Sequence, residues 1–489
     1  MKKFQVAIIG GGVIGSSIAR ELSRYDVRVV VFESGSDVAS QASKANSGVI
    51  HSGINSPPFS LKARLCVEGN RMFQSLAEEF AIPVKWVGKF VVARNEDELA
   101  ELEHLKRVGE SNGVPRLEIL DEAWVKKKEQ NISCRGALWV PTAGITSPYQ
   151  LTIALAENAV ENDVKFLLET KVVGLKKQSQ RFFINTTKGE FLADVIVNTA
   201  GVFCRDIVAM LEEPDFNVYP CRGEYLVLDK AYSWLVRSMI YPVPPKHTGV
   251  LGVHITPTIE GNILLGPSAE FITEAEDTRT TKGMMISLLK HAKELVHALP
   301  DNAVINAYSG IRSKIASAEN GGWADFRIEE SRNTPGLINL LGIESPGLTA
   351  APAIAKEVTG IIAGLIELKE KSNFKSNRTR INRFSELSET DRAKMIEKDS
   401  SWGRVVCRCE QVTEGEVIDA LSNPLGARTL SSVKYRCRAG MGRCQGGFCT
   451  PHIVRIMKNN FGMDVKDIKL KSPNSTLFTG RVREVREHD

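Results

Sequence analysis

Residues 4–10 form a short apolar run that breaks at once into Gly10, Gly11 and Gly12, with Gly15 three residues on. A helical pattern follows over residues 13–24, and a second apolar run covers Val27 to Phe32. This order of strand, glycine turn, helix and strand constrains the chain more than any other feature, because it closes a βαβ unit around a G-x-G-x-x-G turn. Gly10 permits the tight turn, Gly12 lets the backbone approach a pyrophosphate, and Gly15 lets the helix pack close to the strand. The free N–H groups and positive dipole end of the helix favour phosphate. Glu33 closes the second strand about 20 residues after the first glycine, where an acid can hold a ribose hydroxyl pair and argues against a 2′-phosphate.

The chain has 489 residues, enough for two to four domains, and a formal net charge of +5. So weak a basic bias, with aromatics at 7%, gives no case for nucleic-acid binding. No apolar run approaches the ~18 residues of a membrane span. The start reads as a mature N-terminus, because its apolar run is short, is broken by glycines and is followed by Arg20, Glu21 and Arg24. A cytoplasmic protein is expected, with contact at the inner face of a membrane left open.

Amphipathic helices are predicted over 60–80 and 98–110, strand-like runs over 165–200 and 219–267, and an apolar strand over 337–342. A Ser-Pro-Gly turn and a helix over about 350–369 come next. Residues 369–403 turn polar and charged and read as a linker with one exposed helix. A cysteine-bearing module spans about 404–465, and 466–489 reads as a loose tail or docking strand.

The glycine turn alone does not separate NAD from FAD. Nothing downstream suggests a nicotinamide-enzyme catalytic domain, whereas pieces of a dinucleotide domain recur far apart, at Asn198-Thr199-Ala200-Gly201 and at Gly342 with Ser345 to Thr349. With these motifs, residues 1 to about 365 resemble the D-amino-acid-oxidase-like FAD superfamily. The stretches Asn46 to Gly53 and Gly252 to Pro257 most resemble L-2-hydroxyglutarate dehydrogenases and the related FAD-dependent glycerol-3-phosphate dehydrogenases. The resemblance implies an α/β fold, with a Rossmann-like FAD-binding domain (segments about 1–80, 145–215 and 305–368) and an inserted antiparallel-sheet substrate domain (about 81–144 and 216–304). It implies that Gly10, Gly12, Gly15 and Glu33 hold the ADP half of FAD. Ser43, Asn46 and Ser47 then lie beside the flavin, and Val173 offers backbone contacts to the adenine. Ala200 and Gly201 sit over the pyrophosphate, while Gly310, Gly347, Leu348 and Thr349 cup the isoalloxazine. A helix N-terminus at Gly347 would aim its dipole at the flavin.

Oxidising a secondary alcohol needs a base for the hydroxyl proton and a cation for an anionic substrate. His254 is the expected base, and His51 is expected to orient substrate or flavin; some members of the superfamily attach FAD covalently through a histidine in this region. Arg312 matches the arginine that binds the substrate's anionic group in the superfamily. Lys314 is expected to help, and Tyr225 to line the pocket. One position departs from the glycerol-3-phosphate dehydrogenase pattern: Ile54 stands just after His51-Ser52-Gly53, where those enzymes usually carry an arginine.

Of nine cysteines, five crowd between Cys407 and Cys449. In a cytosolic chain that points to metal or redox chemistry more than to structural disulfides. Cys407 and Cys409 form C-x-C, and Cys444 and Cys449 form C-x4-C in a glycine-rich stretch. Four thiolates from two loops can enclose a [2Fe–2S] cluster or zinc. The module resembles the bacterioferritin-associated-ferredoxin-like [2Fe–2S] domain, which implies that these four cysteines are ligands and that Cys437 is not. Arg408, Arg436, Arg438 and Arg443 are expected to offset the cluster's negative charge.

The expected function is an FAD-dependent dehydrogenase acting on a small anionic secondary alcohol, glycerol-3-phosphate first and L-2-hydroxyglutarate second. Electrons would pass through the cluster to a flavoprotein partner or quinone. An amine substrate, and an electron-relay subunit without its own chemistry, are the alternatives.

Overall fold

The computed structural model describes residues 1–245, 251–378 and 383–480. Its central element is the Lys2–Ile9 strand, whose apolar half is entirely buried. It pairs in parallel with Val29–Phe32 on one side and with Gly189–Asn198 on the other, and Leu337–Leu341 adds in parallel beyond that. Runs of this kind, apolar on both faces, are what a covered parallel sheet requires. The cover comes from two helices. Val13–Leu22 and Gly347–Ala363 place Ile18, Leu22, Ile354 and Val358 against Val6, Ile8 and Val31 of the sheet. An antiparallel meander, Val172–Gln178, Arg181–Thr186 and Gly189–Asn198, extends the same sheet.

A second sheet, of nine strands among the described residues, is mainly antiparallel. Its longest pairing joins Tyr219–Leu228 to Val304–Lys314, with Cys221 opposite Arg312, Gly223 opposite Gly310 and Tyr225 opposite Tyr308. His254–Pro257 and Met239–Pro242 continue it, and Met239–Pro242 runs parallel to Lys89–Ala93. Residues 305–314, expected with the FAD-binding segment 305–368, form with Val304 a strand of this sheet. Its ladder to Tyr219–Leu228 is long-range pairing that local pattern does not reveal.

These elements form one unit, made of Met1–Phe32, Ala39–Phe166 and Lys171–Arg378. A second unit combines the described residues from 383 onward with two short loops, Glu33–Val38 and Leu167–Thr170. Its cysteine-bearing part has the helices Glu414–Leu421, Leu430–Cys437 and Thr450–Phe461, closed by a Val405–Cys407/Val412–Thr413 hairpin over a core of Val417, Leu421, Val433, Ile453 and Met457. Thr413 and Glu416 form a capping box at the first helix. The expected linker is more ordered than its composition suggests. Its Glu389–Lys398 helix has no buried residue and matches the one exposed helix expected there; the added order is Trp402, buried where Gly415 leaves 2.6 Å between a would-be Cβ and the indole. The expected tail docks through buried Ile468 and through hydrogen bonds from Leu430 and Ser431 N–H to the carbonyls of Lys469 and Leu470.

Candidate active site and thiol cluster

The glycine turn is built for a ligand. Gly10 has φ +113°, and a Cβ there would lie 2.6 Å from the Thr199 carbonyl oxygen. A Cβ on Gly15 would lie 2.0 Å from the Gly10 oxygen. Thr199 pins the arrangement by donating its hydroxyl to the carbonyls of Ile9 and Gly10. The Val13–Leu22 helix starts at Gly12 without a side-chain cap, and Val13 N–H donates to the Ser43 hydroxyl at 2.9 Å. Uncapped first-turn donors beside a backbone stripped of Cβ atoms fit a pyrophosphate. Glu33 is buried directly after Phe32, and one carboxylate oxygen accepts from Gly35 N–H at 2.6 Å. Val173 is an exposed residue at a bulge between Val172 and Gly174, on the Val172–Gln178 strand. Ala200 precedes the turn Gly201–Phe203, and Gly201 (φ +60°) faces open space.

The residues expected beside the flavin come together from distant parts of the chain. Gly310 is forced by contact, since a Cβ there would sit 2.2 Å from the Ala45 oxygen. Tyr308 donates its hydroxyl to the Asn46 carbonyl, and the Asn46 amide holds the carbonyls of Ala42 and Ser43. Tyr225 stacks on Tyr308 at 4.8 Å and hydrogen-bonds Ser47, while burial pushes its phenol pKa up. The Gly347–Ala363 helix begins without a side-chain cap at Pro346. Thr349 joins this helix to the His51 loop, accepting His51 N–H at 2.8 Å and donating to the Val49 carbonyl. His51 Nε2 lies 3.3 Å from the Ser345 hydroxyl.

His254 opens its strand as a buried residue. Its ring stacks on Tyr241 at 3.9 Å, and Nδ1 faces the Gly252 carbonyl at 3.1 Å. A carbonyl can only accept, so Nδ1 carries the proton and Nε2 keeps its lone pair. Burial drives the pKa of both His254 and His51 down to about 3, and the charge of Lys89 adds to both shifts. Arg312 directs its guanidinium at the Ser268 carbonyl (3.1 and 3.2 Å) and has no ion pair among the described residues. Lys314 differs from the expectation. Its ammonium is committed to the Gly322 carbonyl at 2.6 Å and to Glu344, which also binds Lys62. His104 and His291 are exposed, as surface residues should be. His247 lies outside the described residues.

Sequence reading missed Lys89. It heads the Lys89–Ala93 strand, all five residues of which are buried. Its Nζ lies 4.8 Å from the Tyr241 ring centre and 3.4 Å from Asn55 Oδ1. Burial lowers its pKa to about 8. The available signal was a charged residue at the head of an otherwise apolar strand.

In the second unit, Cys409 and Cys444 place their sulfurs 3.9 Å apart, and Cys407 hydrogen-bonds Cys449. The first separation is about what two thiolates at ~2.3 Å from one tetrahedral metal ion require. The four thiols form two pairs, and among the described residues no three metal-ligating side chains are gathered at one point. Cys407 is pulled below the ordinary thiol range by the Cys449 hydrogen bond, while Cys449 is pushed up by the same contact. Backbone N–H groups of Gly440 and Glu410 face the Cys407 sulfur, and those of Phe448 and Gly446 face Cys444. Such donors suit thiolate and cluster sulfur. A Cβ at Gly442 would lie 2.2 Å from Cys409 Cβ, so that loop needs glycine. Cys437 is buried, donates to the Val433 carbonyl and is pushed up to about 12, which leaves it apart from the other four. Two of the expected charge-balancing arginines are otherwise engaged: Arg436 pairs with Asp37 and Arg438 with Glu410.

The comparisons agree with this geometry. Residues 5–361 match the model of the FAD dependent oxidoreductase family, and residues 405–459 match the BFD-like [2Fe-2S] binding domain. The chain belongs to the FAD-dependent oxidoreductase family and carries a C-terminal [2Fe–2S]-binding domain. It is 41% identical to a glycerol 3-phosphate dehydrogenase of Caloramator mitchellensis, over 98% of each chain. It is 29% identical to the mitochondrial L-2-hydroxyglutarate dehydrogenase of Arabidopsis thaliana, over 73% of this chain and 83% of that one. The FAD-bound L-alpha-glycerophosphate oxidase of Mycoplasma pneumoniae matches with a TM-score of 0.73 and 30% identity, over 77% of this chain and 99% of the other. The relatives act on CH–OH groups, and the cofactors expected from sequence, FAD and [2Fe–2S], stand. No helix among the described residues is long and apolar enough to cross a membrane.

Proposed function

We propose that the protein is a glycerol-3-phosphate dehydrogenase. It oxidises the secondary alcohol to dihydroxyacetone phosphate and sends the electrons through the [2Fe–2S] domain to a partner flavoprotein or quinone. The observation that carries this reading is the identity of 41% with the Caloramator enzyme over 98% of both chains, which includes the thiol module. FAD, when bound, supplies the two-electron acceptor, and the cluster releases electrons one at a time.

The chain's own residues do the rest. Arg312, a guanidinium without an acid partner, holds the substrate's anion. Neutral His254 takes the hydroxyl proton at Nε2, since Nδ1 is fixed by Gly252. His51, tied to Ser345 and Thr349, orients the substrate against the flavin. Tyr225 lines the substrate pocket and hydrogen-bonds Ser47, which lies beside the flavin. Lys314 is left out of substrate binding because Glu344 and Gly322 hold it. Gly10, Gly12, Gly15 and Glu33 hold the ADP half of FAD, with Val173, Ala200 and Gly201 along it. Ser43, Asn46, Gly310, Gly347, Leu348 and Thr349 surround the flavin. Cys407, Cys409, Cys444 and Cys449 hold the cluster, and their pairing two by two suits two irons better than one zinc ion.

A second reading, L-2-hydroxyglutarate as substrate, is favoured by Ile54. That side chain is buried, with an apolar group where the phosphate enzymes usually carry arginine. Turnover with an artificial one-electron acceptor separates the two. Glycerol-3-phosphate should yield dihydroxyacetone phosphate at a rate at least tenfold above any oxidation of L-2-hydroxyglutarate. The reverse ratio would transfer the assignment to the hydroxy acid.

A further inference from the structure

Lys89 has no assigned role, and its surroundings are unusual for a lysine. It is 1% exposed. Of its three N–H donors, only one finds a partner among the described residues, Asn55 Oδ1, and at a long 3.4 Å. It forms no ion pair among the described residues, whereas the other buried lysines of this region, Lys62 and Lys314, share Glu344. A buried ammonium is expensive unless a charge or several hydrogen bonds compensate it. Here both are missing, and the aromatic face of Tyr241 supplies only part of what is lost. Tyr241 in turn stacks on His254. The lysine therefore stands one ring away from the proposed base, and its field reaches His51 as well.

We propose that Lys89 is a charge-selecting residue of the substrate pocket, an enclosed cation whose missing counter-charge is the substrate's own anionic group. The inference rests on the reading of this pocket as the site of an anionic alcohol and deepens it. Arg312 makes the direct contact; Lys89, too enclosed to be an open landing surface, acts through a short separation across the pocket wall. It is a positioning residue, and what it selects is negative charge.

The groups facing Lys89 make the idea testable. They are Asn55 and His51 on the loop after Ile50, Cys66 on the Leu61–Phe80 helix, Tyr241 on the neighbouring strand, and His254. The partner strand Gly136–Val140 contributes no titratable side chain. Both histidines lie near 3, Cys66 is pushed up to about 12 and Tyr241 is pushed up too. Of these groups, Lys89, lowered to about 8, is the one that changes charge between pH 7 and 9. An anion arriving nearby raises that pKa again, so binding takes up protons near pH 8 and weakens as the pH rises further. Phosphate monoesters, whose second pKa is near 6, add no uptake there.

The experiment is calorimetry of the oxidised holoenzyme with dihydroxyacetone phosphate, in two buffers of different ionisation enthalpy at pH 8, for wild type, Lys89→Met and Lys89→Arg. Wild type should take up a sizeable fraction of a proton, up to about one half. Lys89→Met should bind about tenfold more weakly, the scale of one lost charge pair at partly buried separation, with no uptake. Lys89→Arg should recover the affinity without the uptake. Binding without proton uptake in wild type overturns the proposal and needs no variant. So does an unchanged dissociation constant in Lys89→Met. The underlying substrate reading fails separately, if glycerol-3-phosphate does not bleach the wild-type flavin. If L-2-hydroxyglutarate bleaches it instead, 2-oxoglutarate replaces the phosphate in the same comparison, with the same outcomes deciding.

Discussion

The two pocket histidines should leave a distinctive mark on the pH dependence of flavin reduction. An ordinary imidazole at pKa 6.5 is about 90% protonated at pH 5.5, and a base in that state costs about tenfold in rate. Burial brings His254 to about 3. At pH 5.5 that leaves well under 1% protonated, so the rate of reduction by saturating substrate should be flat from pH 5 to pH 7. The apoprotein pays for the same burial. An unfolded histidine binds a proton below pH 6.5 that the folded one refuses, so stability is full above about pH 6.5 and is lost as the pH falls towards 3. Fully buried His254 alone makes the loss roughly 2 kcal/mol by pH 5, and half-buried His51 adds to it. The assay is anaerobic stopped-flow bleaching at 0.5-unit pH steps, paired with urea unfolding of the apoprotein at pH 7 and pH 5. A reduction rate that falls tenfold through a midpoint near 6.5, with equal stability at both pH values, would refute the buried neutral imidazoles.

Further outcomes follow from the same contacts. Gly15→Ala puts a Cβ 2.0 Å from the Gly10 oxygen, so the purified variant should lose most of its FAD and about 1–3 kcal/mol of stability, read by bound flavin absorbance and urea titration. Arg312→Leu should lower kcat/KM for the phosphate substrate by about 10²-fold, because a charge-assisted bidentate contact is lost, while flavin content stays full. His254→Ala should slow flavin reduction by ~10²-fold or more, and an unchanged rate removes it as the base. Cys409→Ser should abolish the cluster's electron paramagnetic resonance signal but spare substrate bleaching of the flavin; Cys437→Ser should retain the signal.

The parts of this site that lie close together in sequence were legible there. Gly10 to Glu33 reads as a dinucleotide turn because its chemistry is local: a strand, a turn free of Cβ atoms and a helix end. Cys407 with Cys409 and Cys444 with Cys449 read from sequence as two local pairs, C-x-C and C-x4-C. What escaped depends on long-range pairing or on partners. The ladder of residues 304–314 to Tyr219–Leu228 places Arg312 opposite Cys221, and a separate close approach sets Gly310 against Ala45. Lys314 and Arg312 are two residues apart and look alike as cations. Glu344, far along the chain, claims one and leaves the other. Lys89 looked like an unremarkable charge until the strand behind it proved wholly buried. Trp402 likewise sits in a polar stretch that reads as a linker, and only its contact with Gly415 shows it to be core.

The most direct test of the account follows both cofactors through one reductive half-reaction. The purified holoenzyme is mixed with glycerol-3-phosphate without oxygen, flavin absorbance is recorded, and freeze-quenched samples are examined for the reduced cluster. The account predicts rapid flavin bleaching, followed by the cluster signal, and little bleaching with L-2-hydroxyglutarate. A flavin that stays oxidised with glycerol-3-phosphate while cluster and FAD are both present would contradict it.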